Sequence, residues 1–382
     1  MADSTTVHSP LRRAAWRLRR RARKRLRKRA RALRRRAYRA LRIPPDLYKM
    51  YALPGRGPYH RRRWGQLVRT APAIGVEEHV AKVGRRKIEE VTGCHLCGER
   101  RVQPLFHRRN PKGGKWNYWV VRCPRCSLLY RSPAVRPEKL HVLYRKKYSR
   151  FLTGHYSGTR QERYRMVMDA FDPVFRDGAG RRVLDHGCGT GLFLDVAEER
   201  GFEPYGVDLS PDSIDRARER PSGRHAHFGH PLDVPEIAAG GFDVVTLWSV
   251  LAHLARPVDD LRMLRGLLAD DGVMLILTVN AASLQLKAHR EHWGGFTKNH
   301  LAVYSPQTLK LLLRLAGFEA VVFRPWYGEA FERGRIPLWP RQARRVRRNV
   351  EHGNQGNMMR AVAFADRDAP RRWGIDGAEP LA

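Results

Sequence analysis

The sequence predicts an α/β protein with a doubly wound, Rossmann-like sheet that is preceded by a small metal-bound module, and three observations support this organisation. Residues 183–194 join a strand-like run to a helical pattern through three closely spaced glycines. Strand-like and helix-like segments alternate from there towards the C-terminus. Two Cys-x-x-Cys pairs precede this region and predict a small metal-bound module. A long basic helix is predicted ahead of both.

Charge is distributed unevenly along the 382 residues. Lys and Arg number 74 against 37 Asp and Glu, a net charge of +37, yet residues 1–90 carry 28 basic and 6 acidic side chains while residues 181–330 carry 16 and 19. The excess therefore indicates tethering or docking by the flanks, and only weakly a nucleic-acid substrate. No apolar run approaches the roughly twenty residues that span a bilayer, and the start lacks the apolar region of a secretory signal. We expect a cytoplasmic protein, with peripheral attachment to the inner face of the membrane as the alternative.

Residues 11–42 predict one long basic helix with a narrow apolar stripe, because Leu and Ala recur there every three or four positions among eighteen basic side chains. An anionic membrane surface, RNA or an acidic protein could bind it, since each basic side chain near an anionic membrane is worth about 1 kcal/mol. The alternatives are a solvated arm without a specific partner and an organellar transit peptide. Pro44 and Pro45 end the helix and begin a linker.

Four of the five cysteines predict a closed structural zinc ribbon. The two pairs are separated by 25 residues, which is enough for a hairpin that brings four thiolates around one Zn²⁺. The predicted ligands are Cys94, Cys97, Cys123 and Cys126. A module of this size is too small for a core of its own and would owe its stability to the metal. A catalytic zinc and pairs of redox or free thiols are the alternatives.

The glycine loop predicts a ligand site. Glycines at 187, 189 and 191 let the backbone approach a flat or charged ligand, and the following helix start adds free N–H groups. Asp208 ends a second strand-like run some twenty residues later, where a carboxylate can accept both hydroxyls of a ribose. Asp185, directly before the loop, offers a second carboxylate. A Rossmann-like domain that binds another nucleotide, or none, is the alternative.

The spacing Asp-x-Gly-x-Gly-x-Gly followed by a distant acid resembles the class I methyltransferases that bind S-adenosylmethionine (SAM). The run Cys-x-x-Cys-x-Leu-x-Tyr-x-x-Pro at 123–133 and a Tyr-rich stretch with Tyr144 and Tyr148 extend this resemblance to bacterial methyltransferases with an N-terminal zinc-binding ribbon, over roughly residues 91–325. Members of that group modify sugars, polysaccharide precursors or natural products. The resemblance implies a set of cofactor-binding residues. They are Asp185, Gly187, Gly189, Gly191, Asp208, Leu209, Asp233 and Trp248.

The remaining elements follow from periodicity and turn residues. Strands are expected near 225–228, 242–248, 273–279, 318–323 and 361–366, and helices over 159–176, 211–220, 261–268 and 309–315. Ser210 is placed to cap the helix that starts at Pro211. The resulting division is a basic arm (1–43), a linker (44–90), a zinc ribbon (91–133), a helical connector (134–176), a SAM-binding domain (177–330) and a C-terminal segment with the last strand (331–382).

Two histidines are the candidate catalytic residues. A methyl group on a sulfonium is already electrophilic, so the protein must orient a nucleophile and remove its proton. The resemblance implies Glu-His after the strand that ends at Trp248, where this chain has Ala252 and His253. His253 is therefore the predicted general base, and a merely structural histidine is the alternative. His300, in a loop rich in Gly and Trp, is the second candidate.

The sequence leaves three hypotheses about function. The first is a SAM-dependent methyltransferase acting on an oxygen or nitrogen of a small-molecule or glycan-precursor acceptor, since the missing glutamate disfavours carbon methylation. The second is an RNA methyltransferase whose arm binds phosphates, although the strand ending at Trp248 lacks the Asn/Asp-Pro-Pro-Tyr/Phe element. The third is a non-catalytic SAM-binding module anchored by the arm.

Overall fold

A computed structural model describes residues 71–85, 87–109, 117–140, 156–289, 293–297, 299–324, 326 and 354–381. The predicted basic arm, residues 44–70 of the linker, the Tyr-rich stretch at 144–148 and the Arg-rich run at 341–348 lie outside these residues. Within the described part of the chain, no helix is both long and apolar enough to cross a membrane.

The N-terminal part of the described chain is an antiparallel β-module with one helix. Its elements are β1 (Ile74–Gly75), α1 (Val76–Val83), β2 (Glu89–Glu90), β3 (Arg101–Arg109), β4 (Asn117–Arg122), β5 (Leu129–Ser132) and β6 (Ala134–Val135). Strands β3 and β4 pair antiparallel and form the hairpin expected between the two cysteine pairs. We refer to residues 91–133 as the ribbon.

The C-terminal part is an α/β domain. Its strands are β7 (Arg182–His186), β8 (Glu203–Asp208), β9 (Ala226–Phe228), β10 (Phe242–Trp248), β11 (Leu268–Val279), β12 (Ala302–Val303), β13 (Ala320–Arg324), β14 (Met358–Phe364) and β15 (Glu379–Pro380). Its helices are α2 (Tyr156–Asp169), α3 (Asp172–Phe175), α4 (Leu192–Glu198), α5 (Pro211–Arg218), α6 (Pro235–Ala238), α7 (Pro257–Gly266), α8 (Leu284–His289), α9 (Pro306–Leu315) and α10 (Ala369–Arg372).

Eight of these strands form one mixed sheet in the order β15-β13-β14-β11-β10-β7-β8-β9. The pairs from β11 to β9 are parallel, whereas β14 pairs antiparallel with both β11 and β13. Apolar side chains of α7 and α9 pack on one face of the sheet, and those of α3, α4 and α5 pack on the other. The predicted doubly wound, Rossmann-like fold is confirmed.

Several element boundaries differ from the expected ones. The helix expected over 159–176 is divided into α2 and α3, and α7 begins at Pro257 rather than at Leu261. Proline fits the first turn of a helix because the N–H that it lacks has no partner there. Ser210 does precede α5, but its side chain makes no capping hydrogen bond and instead accepts one from the Ser213 hydroxyl.

The ribbon and the α/β domain are joined by a shared sheet. Strand β12 pairs antiparallel with β5, with Ala302 opposite Tyr130, which gives a five-stranded sheet in the order β1-β3-β4-β5-β12. The core on one face of the large sheet continues into the ribbon, where it includes Val121 and Leu128. A two-residue strand has no periodicity to detect, so this pairing was not foreseeable from the sequence.

Candidate functional site

The glycine loop lies between β7 and α4 and is held by β8. Gly187, Gly189 and Gly191 all have positive φ values, of 79°, 54° and 74°. The backbone N–H groups of Gly187 and Cys188 both donate to the carbonyl oxygen of Val207, at 2.7 and 3.0 Å. Gly206 lets the loop approach, because a Cβ there would lie 2.8 Å from the Cys188 Sγ. The loop is therefore fixed against the end of β8.

Asp208 ties this loop to the next one. Its Oδ2 accepts a hydrogen bond from the Gly189 N–H at 2.9 Å, and its Oδ1 accepts one from the Ser210 N–H at 2.8 Å. Burial raises the pKa of Asp208, and the backbone N–H groups of Ser210, Gly189 and Leu209 oppose this shift because they favour the carboxylate. A carboxylate has about four acceptor positions in all, so the group can also accept a hydrogen bond from a ligand.

Asp185 has a different environment. It is only 2% exposed, and its Oδ1 accepts a hydrogen bond from the Thr246 hydroxyl at 2.8 Å. Burial raises the pKa of Asp185 to about 8, so the group is mainly protonated at neutral pH. This side chain links β7 to β10 inside the sheet and does not line the cavity described next.

A cavity of about 220 Å³ opens at the carboxyl ends of β7, β8 and β10. This is the edge at which open α/β sheets bind ligands. Among the residues that line it are Gly187, Asp208, Leu209, Val250 and His253. Pro137 and Leu140, which directly follow the ribbon, contribute to the wall as well.

The two candidate histidines lie together beside this cavity. Their rings meet edge to face, with centroids 4.8 Å apart. His253 Nδ1 lies 3.1 Å from the carbonyl oxygen of Asn299, and His300 Nδ1 lies 2.5 Å from that of Gly295. Because a carbonyl oxygen only accepts, each Nδ1 carries the proton and each Nε2 carries the lone pair.

Both imidazoles are neutral at physiological pH. Burial lowers the pKa of His253 to about 3, with a further contribution from His300. Burial also lowers the pKa of His300. A neutral imidazole with its lone pair on Nε2 can accept a proton from a ligand.

The other predicted cofactor-binding residues differ in their position, and Leu209 alone among them lines the cavity. Leu209 lines the cavity and is 51% exposed. Asp233 is exposed in the turn Pro231–Asp233, where His230 and Pro231 supply the lining instead. The Trp248 ring packs on Tyr164 and Phe193, with centroids 4.7 and 4.9 Å away, outside the lining.

Other lining residues were missed by the sequence analysis. Ser249 and Val250, directly after Trp248, line the cavity, since side chains alternate between the faces of a strand and the chain turns after it. His186 lines it next to Asp185, and burial lowers the pKa of His186 to about 4. Asp260 on α7 lines it too, and burial raises the pKa of Asp260 to about 6. The position of His186 at a strand end was a usable signal, whereas nothing in the sequence singled out Asp260.

The four predicted metal ligands come together at the ends of the β3–β4 hairpin. The sulfur atoms of Cys94 and Cys126 are 3.4 Å apart, those of Cys97 and Cys123 are 3.6 Å apart, and all four lie within 4.8 Å of one another. A tetrahedral site with Zn–S bonds of about 2.3 Å separates its sulfurs by about 3.8 Å. The cluster is thus compatible with one zinc ion and four thiolate ligands.

Comparison with known families identifies the α/β part of the chain. Residues 156–322 match the family described as a methyltransferase domain. This chain contains a class I SAM-dependent methyltransferase domain. The matched segment, which is less than half of the chain, includes the glycine loop, Asp208 and both histidines.

The curated relatives of this chain include two proteins named ubiquinone biosynthesis O-methyltransferase. The ubiquinone biosynthesis O-methyltransferase of Caulobacter sp. (strain K31) is 36% identical over 115 residues, which are 28% of this chain and 46% of that protein. The ubiquinone biosynthesis O-methyltransferase of Xanthomonas euvesicatoria pv. vesicatoria (strain 85-10) is 29% identical over 169 residues, 40% of this chain and 70% of that protein. The chain thus spans about half the length of the first of these relatives.

Among solved structures, a SAM-dependent methyltransferase from Archaeoglobus fulgidus is similar to this chain at 22% sequence identity and a TM-score of 0.42. That alignment covers 57% of this chain and all of the other one.

The residues of the methyltransferase domain fit SAM. The Asp208 carboxylate can accept the hydrogen bonds that the two hydroxyls of a ribose donate, in addition to those from the backbone. The glycine loop leaves space for a cofactor because its glycines have no side chains. A Cβ on Gly187 would lie 2.5 Å from a methyl carbon of Val250. The exposed Leu209 offers apolar surface at the cavity mouth.

Gly187→Ala is expected to weaken SAM binding by about tenfold or more, which corresponds to at least about 1.4 kcal/mol. Alanine at this positive φ is strained, and its Cβ would collide with Val250. Isothermal titration calorimetry measures the affinity. Gly180→Ala is the matched control, because Gly180 has a φ of 72° with no atom within 4 Å of an added Cβ. Equal loss of SAM affinity in both variants would contradict the steric argument, and Gly187→Ala/Val250→Ala should recover part of the affinity.

Proposed function

We propose that this chain transfers the methyl group of SAM to a hydroxyl oxygen of a small-molecule acceptor, with His253 as general base. The observation that carries the proposal is the neutral His253 at the cavity, with Nδ1 donating to Asn299 and the lone pair on Nε2. The names of the curated relatives, which are O-methyltransferases, agree with an oxygen acceptor.

Each part of the cavity has a role in this reaction. When bound, SAM supplies an electrophilic methyl group on its sulfonium. The glycine loop and Asp208 hold the cofactor, and Nε2 of His253 takes the proton that the acceptor hydroxyl loses as its oxygen is methylated. His300 and the Asn299 carbonyl orient the ring, while Pro137, Leu140 and Val250 cover the site with apolar surface.

The low basicity of His253 favours an acidic hydroxyl. Burial makes the imidazole a weak base, and a weak base needs an acceptor that gives up its proton readily, such as a phenol, with a pKa of about 10, and not the less acidic hydroxyl of a sugar. We therefore propose a phenolic acceptor and place a glycan precursor second. An RNA acceptor would depend on the basic arm, which lies outside the described residues.

We also propose that the four-cysteine cluster holds a structural Zn²⁺. The donor set is the thiolate set that zinc prefers, and four protein ligands leave no open position for catalysis. The metal would hold together the two cysteine-bearing segments at the ends of the β3–β4 hairpin. This ribbon shares its sheet with β12 of the methyltransferase domain.

Transfer of radiolabelled methyl groups from SAM tests the proposed activity. We would incubate the full chain with an extract of source cells and separate small molecules, lipid-linked glycans, RNA and protein. We expect the label in small molecules. Added phenols should compete with these molecules and lower their labelling. Label in glycans would contradict a phenolic acceptor and indicate a glycan precursor instead. Label that is removed by nuclease would favour RNA as the acceptor. SAM binding without any methyl transfer would favour the non-catalytic module.

A further inference from the structure

A second cluster of potential metal ligands lies at the edge of the large sheet. His225 precedes the edge strand β9, His227 lies within it, and Glu236 lies on α6. His225 and His227 are two residues apart, so their side chains project from the same face of the strand. One ring nitrogen of each histidine and a carboxylate oxygen of Glu236 all lie within 4.8 Å of one another.

The contacts within this cluster are close. His225 Nδ1 lies 3.1 Å from Oε2 of Glu236, and His227 Nε2 lies 2.5 Å from Oε1. The buried Nε2 of His227 has no hydrogen-bond partner among the described residues. A buried polar atom without a hydrogen-bond partner is a place where an ion or a water molecule can bind.

A second layer of residues orients His225. Its Nε2, on the far side of the ring, lies 3.8 Å from Oε1 of Glu203. The Tyr205 hydroxyl donates to the same oxygen at 2.9 Å, and the Tyr205 ring stacks on His225 with centroids 4.4 Å apart. In metal sites a carboxylate commonly accepts a hydrogen bond from the second ring nitrogen of a ligating histidine, and Glu203 lies just beyond that distance from His225.

We propose that His225, His227 and Glu236 bind one divalent ion of the zinc class. Two imidazoles and one carboxylate suit Zn²⁺, with bonds of about 2.0–2.2 Å and an open fourth position for water. Tetrahedral bonds of this length separate ligand atoms by about 3.4 Å, so binding requires His227 Nε2 and Oε1 of Glu236, which lie 2.5 Å apart, to separate by about 1 Å. The ligand side chains are 25–38% exposed, which leaves a path for the ion.

This ion would be separate from the catalytic cavity. None of the three ligands lines that cavity, although His227 is opposite Val207 in the sheet, one residue before Asp208, so the cluster lies close to the cofactor edge. The ion would join β9 to α6 and thereby hold the intervening residues 229–231, which line the cavity. Its role is to stiffen this edge of the domain rather than to take part in methyl transfer.

Metal content tests the proposal. The full chain would be dialysed against Zn²⁺ and analysed for zinc alongside His227→Ala and Glu236→Gln. We expect each variant to hold one zinc ion fewer per chain than the wild type, whatever the four cysteines bind. Equal zinc content in all three proteins would overturn the site. Glu219→Gln removes an exposed carboxylate outside the cluster and serves as the control.

Cobalt distinguishes the two clusters without removing a cysteine. Co²⁺ at the histidine–glutamate cluster should add visible d–d absorption with no thiolate-to-metal charge transfer, and this component should be missing in His227→Ala. A cobalt spectrum of His227→Ala identical to that of the wild type would contradict the proposal. Both readouts are independent of methyltransferase activity.

Discussion

Asp208→Ala is expected to raise the dissociation constant for SAM by more than about 100-fold, or about 2.7 kcal/mol. The substitution removes the acceptor proposed for the ribose hydroxyls. It also leaves the N–H groups of Gly189 and Ser210 without their partner, and each buried unpaired group costs about 1–3 kcal/mol. Isothermal titration calorimetry measures the binding, and thermal unfolding reports how much of the loss is structural.

The isosteric variant separates the two contributions. Asp208→Asn keeps one acceptor oxygen but puts an amide donor where the second was, so it should bind SAM with intermediate affinity. Asp212→Asn, an exposed carboxylate in the first turn of α5, is the matched control and should bind SAM like the wild type. Unchanged affinity in Asp208→Ala would rule out Asp208 as the ribose ligand.

His253→Ala is expected to lower kcat by about 10²-fold to 10⁴-fold, the usual contribution of a general base. The dissociation constant for SAM should stay within about twofold, because the base acts on the acceptor and not on the cofactor. Single-turnover methyl transfer to the acceptor measures the chemical step separately from product release.

Two further measurements distinguish a base from a positioning residue. His253→Asn can keep the donation to Asn299 yet lacks Nε2, so it should be as slow as His253→Ala. The base acts in its neutral form, and with a pKa of about 3 it stays neutral as the pH falls from 7 to about 4. Nearly full activity in His253→Asn would contradict the role as base, whereas a loss of wild-type activity near pH 6.5 that disappears in the variant would contradict the lowered pKa of His253.

Local patterns predicted the parts of this structure that depend on neighbouring residues. The glycine loop, the strand that ends at Asp208 and the hairpin between the cysteine pairs each follow from a short stretch of sequence. Hydrophobic periodicity predicted the longer strands and helices, because one face of each is buried, but not short elements such as α6, α8 and β12. The fold class followed from the order of the longer elements.

Which side chains face the cavity was harder to predict. Leu209 and His253 line it, whereas Trp248 and Asp233 do not. The difference depends on where a strand turns away from the sheet, and a shift of one residue reverses the direction of a side chain. Contributions from distant segments, such as Pro137 after the ribbon and Asp260 on α7, depend on tertiary packing and leave no local signal.

The ribbon is also connected to the candidate base through the backbone. Arg131 in β5 donates its N–H to the Leu301 carbonyl at 2.8 Å, and the Leu301 N–H donates to the Ala252 carbonyl at 2.7 Å. The Tyr118 hydroxyl of β4 donates to the Thr297 carbonyl at 2.9 Å in the loop that carries His300. A ribbon that lost its fold would release both histidines while leaving the glycine loop and Asp208 in place. Without the zinc proposed for the four cysteines, the protein would therefore bind SAM normally and turn over slowly, so low specific activity in a preparation would first call for a zinc assay and only then for another acceptor.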